Sequence, residues 1–192
     1  MKFKFQQNTV ALNNNAPQKT DSVTFVFTFN TVFLSVAKKL LAGHNKLSKF
    51  DDLTIPGSFA KLDNSTIIAI TLGSREEFNF TNYLKALKSI AAILKNNKKI
   101  TDINLVLEES LAKPLNKSIY EYVEASIFHL LNHLYYLDEL KSTKTLLMVK
   151  NINFISGNGQ AKAIDTAIAL AQGVFLVKDL ANYPANIATP SY

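Results

Sequence analysis

The stretch Val23-Thr24-Phe25-Val26-Phe27-Thr28-Phe29 decides the fold of this 192-residue chain. Its apolar residues recur at every second position, the period of a β-strand, which places Val23, Phe25, Phe27 and Phe29 on one face. Asn30 follows as a helix-capping residue type, and Gly43 is a natural helix C-cap. Between these two, apolar residues occur at helical spacing, namely Phe33, Val36, Ala37, Leu40 and Leu41. The stretch therefore predicts a strand that passes directly into a helix.

A polar, turn-rich lead-in, Asn13-Asn14-Asn15-Ala16-Pro17, precedes this strand, and the same two patterns alternate along the rest of the chain. Short apolar runs rich in β-branched residues predict three further strands, at 66–72, 103–107 and 146–149. Apolar residues at helical spacing predict three further helices, one capped by Thr81, one over roughly 116–140 and one over 159–181. The inward-facing residues predicted for the last helix are Ile164, Ile168, Ala171, Phe175 and Leu180. Ser118 and Glu121 have capping-box spacing at the start of the second helix.

Strands that alternate with helices of this length form βαβ units, in which the strands run parallel and the helices cover the sheet. We therefore predict the α/β fold class, with a mostly parallel sheet sandwiched by helices.

Composition excludes several classes of protein. The chain has no cysteine, which excludes disulfides, zinc ribbons, thiol catalysis and iron–sulfur clusters. Apolar residues make up 47% and charged residues 19%, so global disorder is excluded. The longest apolar run, 167–177, is too short to span a membrane, and the N-terminus lacks the apolar core of a secretory signal. A cytoplasmic protein without a membrane partner is the simplest interpretation.

The positive charge is concentrated in the first half of the chain. Residues 1–96 hold 12 basic and 6 acidic side chains, and residues 97–192 hold 9 of each. A basic half attracts nucleic acid, but Arg75 is the only arginine, and sequence-specific readers of DNA rely on bidentate arginine. Weak, sequence-independent DNA binding is the form of this hypothesis that stays open.

Metal and catalytic patterns are sparse. His129 and His133 are one helical turn apart, but the run lacks the glutamate of the HExxH zinc pattern, so the flank of a surface helix is the favoured position. The adjacent acids Asp51-Asp52 and Glu108-Glu109 are poorly spaced for a metal site. No GxSxG nucleophile motif occurs. The residues themselves predict neither a catalytic nor a metal-binding side chain.

Two glycine-containing turns could meet a phosphate, but neither is a complete motif. Leu72-Gly73-Ser74 follows a predicted strand, where open α/β sheets bind ligands. Gly157-Asn158-Gly159 precedes a predicted helix, but it lacks the third glycine of GxGxxG and the lysine of a P-loop. Both are explained as turns without any ligand.

A more specific pattern lies at residues 178–190. This segment resembles the linker signature of the leucyl aminopeptidase (cytosol aminopeptidase) family, which runs basic-Asp-Leu-x-Asn-x-Pro-x-Asn-x-x-Thr-Pro. Every named position matches, with a lysine where the family commonly has arginine: Lys178, Asp179, Leu180, Asn182, Pro184, Asn186, Thr189 and Pro190. Weaker likenesses are Tyr135, Tyr136 and Lys141-Ser142 to a Tyr-Lys-Ser element, and Thr71-Leu72-Gly73 to a Gly-Leu-Gly strand end.

The resemblance implies a domain organisation. It implies an N-terminal α/β domain related to macro domains over 1–155, and a linker helix with an extended segment over 156–192 that leads to a separate catalytic domain. It also implies two divalent metals, manganese, zinc or magnesium, held in that catalytic domain partly by an Asn-Thr-Asp-Ala-Glu-Gly-Arg motif. This sequence does not contain the motif. No catalytic or metal residue can therefore be carried over, and the chain alone is expected to be inactive.

The resemblance also implies a function for the full-length parent. It would be a metal-dependent aminopeptidase that releases N-terminal residues, often leucine, from peptides, and it would assemble as a homohexamer. Two alternatives come from other classes: a stand-alone macro-like module that binds ADP-ribose, and the weak DNA-binding domain described above.

Overall fold

The computed structural model describes residues 2–5, 8–14, 22–30, 32–35, 38, 54–62, 67–136, 147–156 and 159–183, and over 2–14 it describes the backbone alone. The described residues contain one eight-stranded sheet with the order β1-β2-β8-β7-β3-β6-β5, and β4 pairs with the end of β3. The strands are β1 Lys2–Phe5, β2 Asn8–Asn14, β3 Val23–Phe29, β4 Val32–Phe33, β5 Phe59–Leu62, β6 Ile67–Thr71, β7 Asp102–Val106 and β8 Asn151–Ile155.

The centre of the sheet is parallel, as predicted. Strands β2, β8, β7, β3 and β6 run in one direction, and β1, β4 and β5 are antiparallel additions at the edges or strand ends. Because a parallel pair needs a crossover connection, a long helix lies between β6 and β7 and another between β7 and β8. The α/β fold class and the mostly parallel sheet are thus confirmed.

Three long helices lie within the described residues. They are α1 Phe80–Asn96, α2 Ile119–Leu134 and α3 Ala161–Asn182. The predicted capping box is present at α2, where the Glu121 carboxylate accepts from the Ser118 amide at 2.8 Å and the Ser118 hydroxyl accepts from the Glu121 amide at 3.2 Å. The Ser118 amide holds the pKa of the Glu121 carboxyl below its ordinary value.

The main core lies between the helices and one face of the sheet. Phe25, Phe27 and Phe29 are buried on that face, which confirms the alternation predicted for β3. All three helices contribute to the same cluster, and α2 lies between α1 and α3. A buried hydroxyl group joins α1 to α2: the Tyr83 hydroxyl lies 2.7 Å from Ser126 Oγ, and burial raises the pKa of Tyr83 to about 12.

The second face of the sheet carries a buried row of asparagines. Asn153 on β8 donates from Nδ2 to Asn104 Oδ1 at 3.1 Å, and Asn104 on β7 donates from Nδ2 to Ser22 Oγ at 2.7 Å and to Thr24 Oγ1 at 3.1 Å. Thr24 lies on β3, so the row crosses the three neighbouring parallel strands β8, β7 and β3. These side-chain bonds satisfy amides that would be costly to bury unpaired.

Three expectations about strands and helix starts are wrong. The strand predicted at 146–149 begins later, as β8 at Asn151. Leu147 and Val149 are buried but are not part of a strand, and residue 146 lies outside the described residues. Asn13 and Asn14, predicted as part of a turn-rich lead-in, are the end of β2, and the rest of that lead-in, 15–17, lies outside the described residues. The cap of α1 is Asn79, whose side chain accepts from the Asn82 amide at 3.0 Å, so Thr81 lies inside the helix.

Two further boundaries differ from the prediction. Asn30 does not cap a helix: it has a φ of 46° in a turn, and the chain folds back so that Phe33 on β4 pairs with Thr28. Ser35 and Lys38 are helical, whereas Val36, Ala37, Leu40, Leu41 and Gly43 lie outside the described residues. Helix α2 ends at Leu134 and does not reach 140, because Tyr135 turns to an extended ψ of 139° and its carbonyl accepts from Lys95 Nζ at 3.1 Å.

Candidate functional site

The signature residues that the structure describes lie in the last turns of α3. They are Lys178, Asp179, Leu180 and Asn182, and the remaining four, Pro184, Asn186, Thr189 and Pro190, lie outside the described residues. Three of the described residues make polar contacts with the end of α2 or with the end of α3 itself. We call the residues Asn132, Tyr135, Phe175, Lys178 and Asp179 the signature cluster.

Lys178 joins α3 to α2 through its ammonium group. Its Nζ donates to Asn132 Oδ1 at 2.5 Å and lies 4.8 Å from the centre of the Tyr135 ring and 6.0 Å from that of Phe175. A cation over an aromatic face is worth about 0.5–2 kcal/mol, the larger value where water is displaced. Burial lowers the pKa of the Lys178 ammonium, as expected for a cation that is partly withdrawn from water.

Asp179 makes the complementary contact. Its carboxylate accepts a hydrogen bond of 2.7 Å from the Tyr135 hydroxyl, and the Tyr135 ring packs edge-on against Phe175 with centroids 4.8 Å apart. Asn182 closes the end of α3 by donating to the Lys178 carbonyl at 2.7 Å. The polar groups of the signature cluster thus bind the end of α2 to the last turns of α3. They are not arranged as a nucleophile with a base.

Leu180 does not face inward, contrary to the prediction for this helix. It is exposed, together with Leu170, Leu176 and Val177, and we call these four residues the outer stripe of α3. The exposed fractions of Leu176 and Val177 are 57% and 64%. Gln172 is the one polar residue among the exposed positions of 169–181. A contiguous apolar surface of this kind is typical of a face that meets another protein surface.

The predicted position of the two histidines is only partly right. His129 packs edge-on against Phe80 and Phe128, with centroid distances of 5.5 and 5.0 Å, and His133 Nε2 is buried without a hydrogen-bond partner. Burial is the largest cause that lowers the pKa of each imidazole, and nearby cations add to it. Within the part of the chain that the structure describes, no three histidine, aspartate or glutamate side chains come together as a metal site.

The turn at Gly73 is explained by backbone geometry. Gly73 has a φ of +84°, its carbonyl accepts from the Asn30 amide at 3.1 Å, and an added Cβ would lie 2.8 Å from Pro56 Cγ. Glu108 is buried beyond the end of β7, two strands away from β6 at the same edge of the sheet, where Ser35 Oγ donates to its carboxyl at 3.3 Å. A carboxyl at this edge of the sheet is unfavourable for a phosphate ligand.

The other candidate residues divide between the described and undescribed parts of the chain. Glu109 begins a short 3-10 helix beside Glu108, whereas Asp51-Asp52, Gly157-Asn158 and Lys141-Ser142 lie outside the described residues. Asn132 and Phe175 were not singled out from the sequence. Asn132 lies three residues before Tyr135 at the end of α2, and Phe175 lies three residues before Lys178 on α3. Because residues three apart on a helix are neighbours, this spacing could have pointed to both of them from the sequence.

Comparisons with known proteins agree on one family. Residues 52–144 match the N-terminal domain of the cytosol aminopeptidase family. A probable cytosol aminopeptidase of Hamiltonella defensa is 35% identical over 130 residues, which is 66% of this chain and 25% of that protein. One of Wigglesworthia glossinidia brevipalpis is 28% identical over 139 residues, 69% of this chain and 27% of that protein. The chain thus spans about a quarter of these relatives.

Solved structures show the same fold. A mutant of tomato leucine aminopeptidase matches with a TM-score of 0.69 and 16% identity, over 99% of this chain and 42% of that one. The bottromycin maturation enzyme BotP matches with a TM-score of 0.58 and 18% identity, over 88% and 34%. Together with the sequence match, they define an N-terminal α/β domain of the aminopeptidase class. The chain belongs to the cytosol aminopeptidase family.

Proposed function

We propose that this chain is the non-catalytic N-terminal domain of a metal-dependent leucyl aminopeptidase, which hydrolyses N-terminal residues, often leucine, from peptides. The observation that carries the proposal is the match of residues 52–144 to the N-terminal domain of the family. Relatives named as cytosol aminopeptidases support it over a longer part of the chain. In this proposal the chain supplies no reacting group, and cleavage takes place in the part of the relatives that it does not match.

The side chains of the described residues do not fit the two divalent metals of the proposed enzyme, whether manganese, zinc or magnesium. Such a centre needs several convergent carboxylates with free oxygen atoms. The carboxylate of Asp179, the acid of the signature cluster, accepts a hydrogen bond from the Tyr135 hydroxyl. The preceding residue on α3, Lys178, is a cation and also contacts the end of α2. We therefore assign no metal ligand to the described residues and derive no step through a metal.

The outer stripe of α3 supports a connecting role. Its four large apolar side chains extend over residues 170–180, about 15 Å of helix, on the face opposite the core. The stripe lies on the helix that carries the signature, and the relatives are about four times longer than the matched region. We propose that the stripe packs against the catalytic region of the same polypeptide. Buried residues of α3, such as Ile164 and Phe175, at the same time belong to the core of the domain.

Residues 1–155 then form the domain proper and 156–192 the connection, with α3 shared between them. A cytoplasmic location, peptide substrates and a homohexamer formed through the catalytic regions complete the proposal, and the names of the relatives support the first of these. No helix in the described part of the chain is both long and apolar enough to cross a membrane.

The proposal is tested by comparing two purified proteins, this 192-residue chain and the complete product of its source gene, with leucyl p-nitroanilide and Mn²⁺. We expect turnover only by the complete product, and its loss when EDTA is added. Turnover by the 192-residue chain above a buffer blank would overturn the assignment as a non-catalytic domain. Inactivity of both proteins would overturn the assignment to an aminopeptidase.

A further inference from the structure

His133 occupies an unusual place at the junction of the three helices. It lies near the end of α2, the central helix, and its Nε2 atom is buried without a hydrogen-bond partner. A neutral imidazole has only one N–H group, so its Nε2 can be unprotonated, and then this buried atom is not a donor without an acceptor. A protonated imidazole carries an N–H on both nitrogens, so Nε2 would become a buried donor with no acceptor.

Lysines from both neighbouring helices surround this residue. Lys178 on α3 donates to the side chain of Asn132, the residue before His133, and Lys95 on α1 donates to the carbonyl of Tyr135, two residues after it. Lys88 on α1 also acts electrostatically on His133. The junction therefore brings cations from α1 and α3 to the same turn of α2.

The remaining charged groups of the junction do not pair with His133. His129 lies one turn earlier on α2 and faces Lys117, whose Nζ is 5.1 Å from the centre of the Phe80 ring that His129 contacts. The acid contributed by α3 is Asp179, and its carboxylate accepts from the Tyr135 hydroxyl. Among the described residues no carboxylate pairs with His133, so a proton on its imidazole would add an unpaired cation near Lys178.

We propose that His133 makes the attachment of α3 to α2 sensitive to pH: its neutral form fits the junction, and its protonated form loosens the last turns of α3. Burial and the three lysines lower the pKa of His133 in the folded chain. The unfolded chain therefore binds the proton first, and the stabilisation is present above the ordinary pKa of 6.5 and is lost as the pH falls below it. His129 contributes in the same direction.

This inference concerns α3, the helix that carries the signature and the outer stripe, and its regulatory meaning rests on the proposed function. Release of the last turns of α3 at acid pH would disturb the Lys178 and Asp179 contacts, because both depend on residues within three positions of His133. In the proposed parent enzyme, the packing of the outer stripe of α3 against the catalytic region would then weaken at acid pH.

Hydrogen exchange of the 192-residue chain tests the inference without reference to activity. Protection factors of the amides of residues 174–183 are measured at pH 7.5 and pH 5.5 and corrected for intrinsic exchange rates. We expect them to fall by roughly threefold or more at pH 5.5 in the wild-type chain. His133→Phe should abolish most of the fall, and the matched variant His129→Phe should retain most of it.

Equal falls in the wild-type chain and in His133→Phe, or no fall in the wild-type chain, would overturn the inference. If His133→Phe does not fold, the imidazole of the wild-type chain is titrated by NMR. A midpoint below 6.5 for His133 is expected, and a midpoint at or above 6.5 would overturn the inference as well. Because every readout is on the 192-residue chain, failure here leaves the aminopeptidase assay as a separate test.

Discussion

The hydroxyl of Tyr135 donates a hydrogen bond of 2.7 Å to the carboxylate of Asp179, and so joins the end of α2 to the last turns of α3. Both residues were marked by the sequence, Asp179 as part of the signature and Tyr135 as part of a weaker element 44 residues earlier. Their contact gives the signature a physical role in this domain, because it holds the last turns of α3 against the end of α2.

This hydrogen bond should contribute measurably to stability. We expect Tyr135→Phe and Asp179→Asn each to lower the free energy of unfolding by about 1–2 kcal/mol, since a hydrogen bond to a charged group is worth somewhat more than a neutral one. The matched control is Asp165→Asn, at an exposed position of the same helix, for which a change within about 0.5 kcal/mol is expected. Urea unfolding measures all three, and additive effects in the double variant would contradict a direct contact.

Two glycines should respond to alanine in opposite directions. Gly73 has a φ of +84° and would place a Cβ 2.8 Å from Pro56 Cγ, so Gly73→Ala should destabilise the chain by about 1–2 kcal/mol. Gly173 is exposed in the middle of α3 with no atom within 4 Å of an added Cβ. Gly173→Ala should stabilise the helix by about 0.5–1 kcal/mol. Thermal unfolding distinguishes the two, and shifts of the same sign would contradict these backbone assignments.

The buried asparagine row should be sensitive to loss of its central member. Asn104→Ala removes the acceptor of Asn153 Nδ2 and the donor to Ser22 and Thr24, so it should cost about 1–3 kcal/mol of unfolding free energy. Asn96→Ala, at an exposed position near the end of α1, is the matched control and should change stability by about 0.5 kcal/mol or less. Chemical denaturation compares the two, and an equal effect would show that the row is not a stabilising network.

The outer stripe should matter for contact with another region and not for the fold of this domain. Leu176→Lys and Val177→Lys should leave the unfolding free energy of the 192-residue chain within about 0.5 kcal/mol, because both side chains are exposed. Phe175→Ala, beside them but buried in the core, should cost about 3–5 kcal/mol. In the complete gene product, the two lysine variants should weaken the domain contact, seen as faster hydrogen exchange of α3. Unchanged exchange there would contradict the proposed seating.

Periodic segments with a single strong pattern were the most predictable parts of the fold. The alternation of Phe25, Phe27 and Phe29 placed β3 correctly, and the Ser118–Glu121 spacing located the start of α2, because both are local patterns with a direct physical cause. Strand β8 was missed because asparagine is depleted in strands, whereas here Asn151 and Asn153 donate hydrogen bonds to Asp102 and Asn104 on the neighbouring β7. The β3–β4 turn was missed because Asn30 suits both a helix cap and a left-handed turn.

The candidate site was predictable in its residues but not in its contacts. The signature pointed to Lys178, Asp179 and Leu180, whereas their partners Asn132 and Tyr135 are about 45 positions away in sequence and are brought near by packing of α3 on α2. The outward direction of Leu180 was likewise set by which face of α3 meets the core, since this helix is apolar on most of its circumference and its periodicity is weak.

The most direct test of the central proposal is to read the source gene beyond the codon for Tyr192. If this chain is one domain of a longer aminopeptidase, as proposed, the reading frame should continue for about 300 codons, in keeping with the length of the relatives, and encode Asn-Thr-Asp-Ala-Glu-Gly-Arg. A stop codon directly after Tyr192 would contradict the assignment as a domain of a larger aminopeptidase.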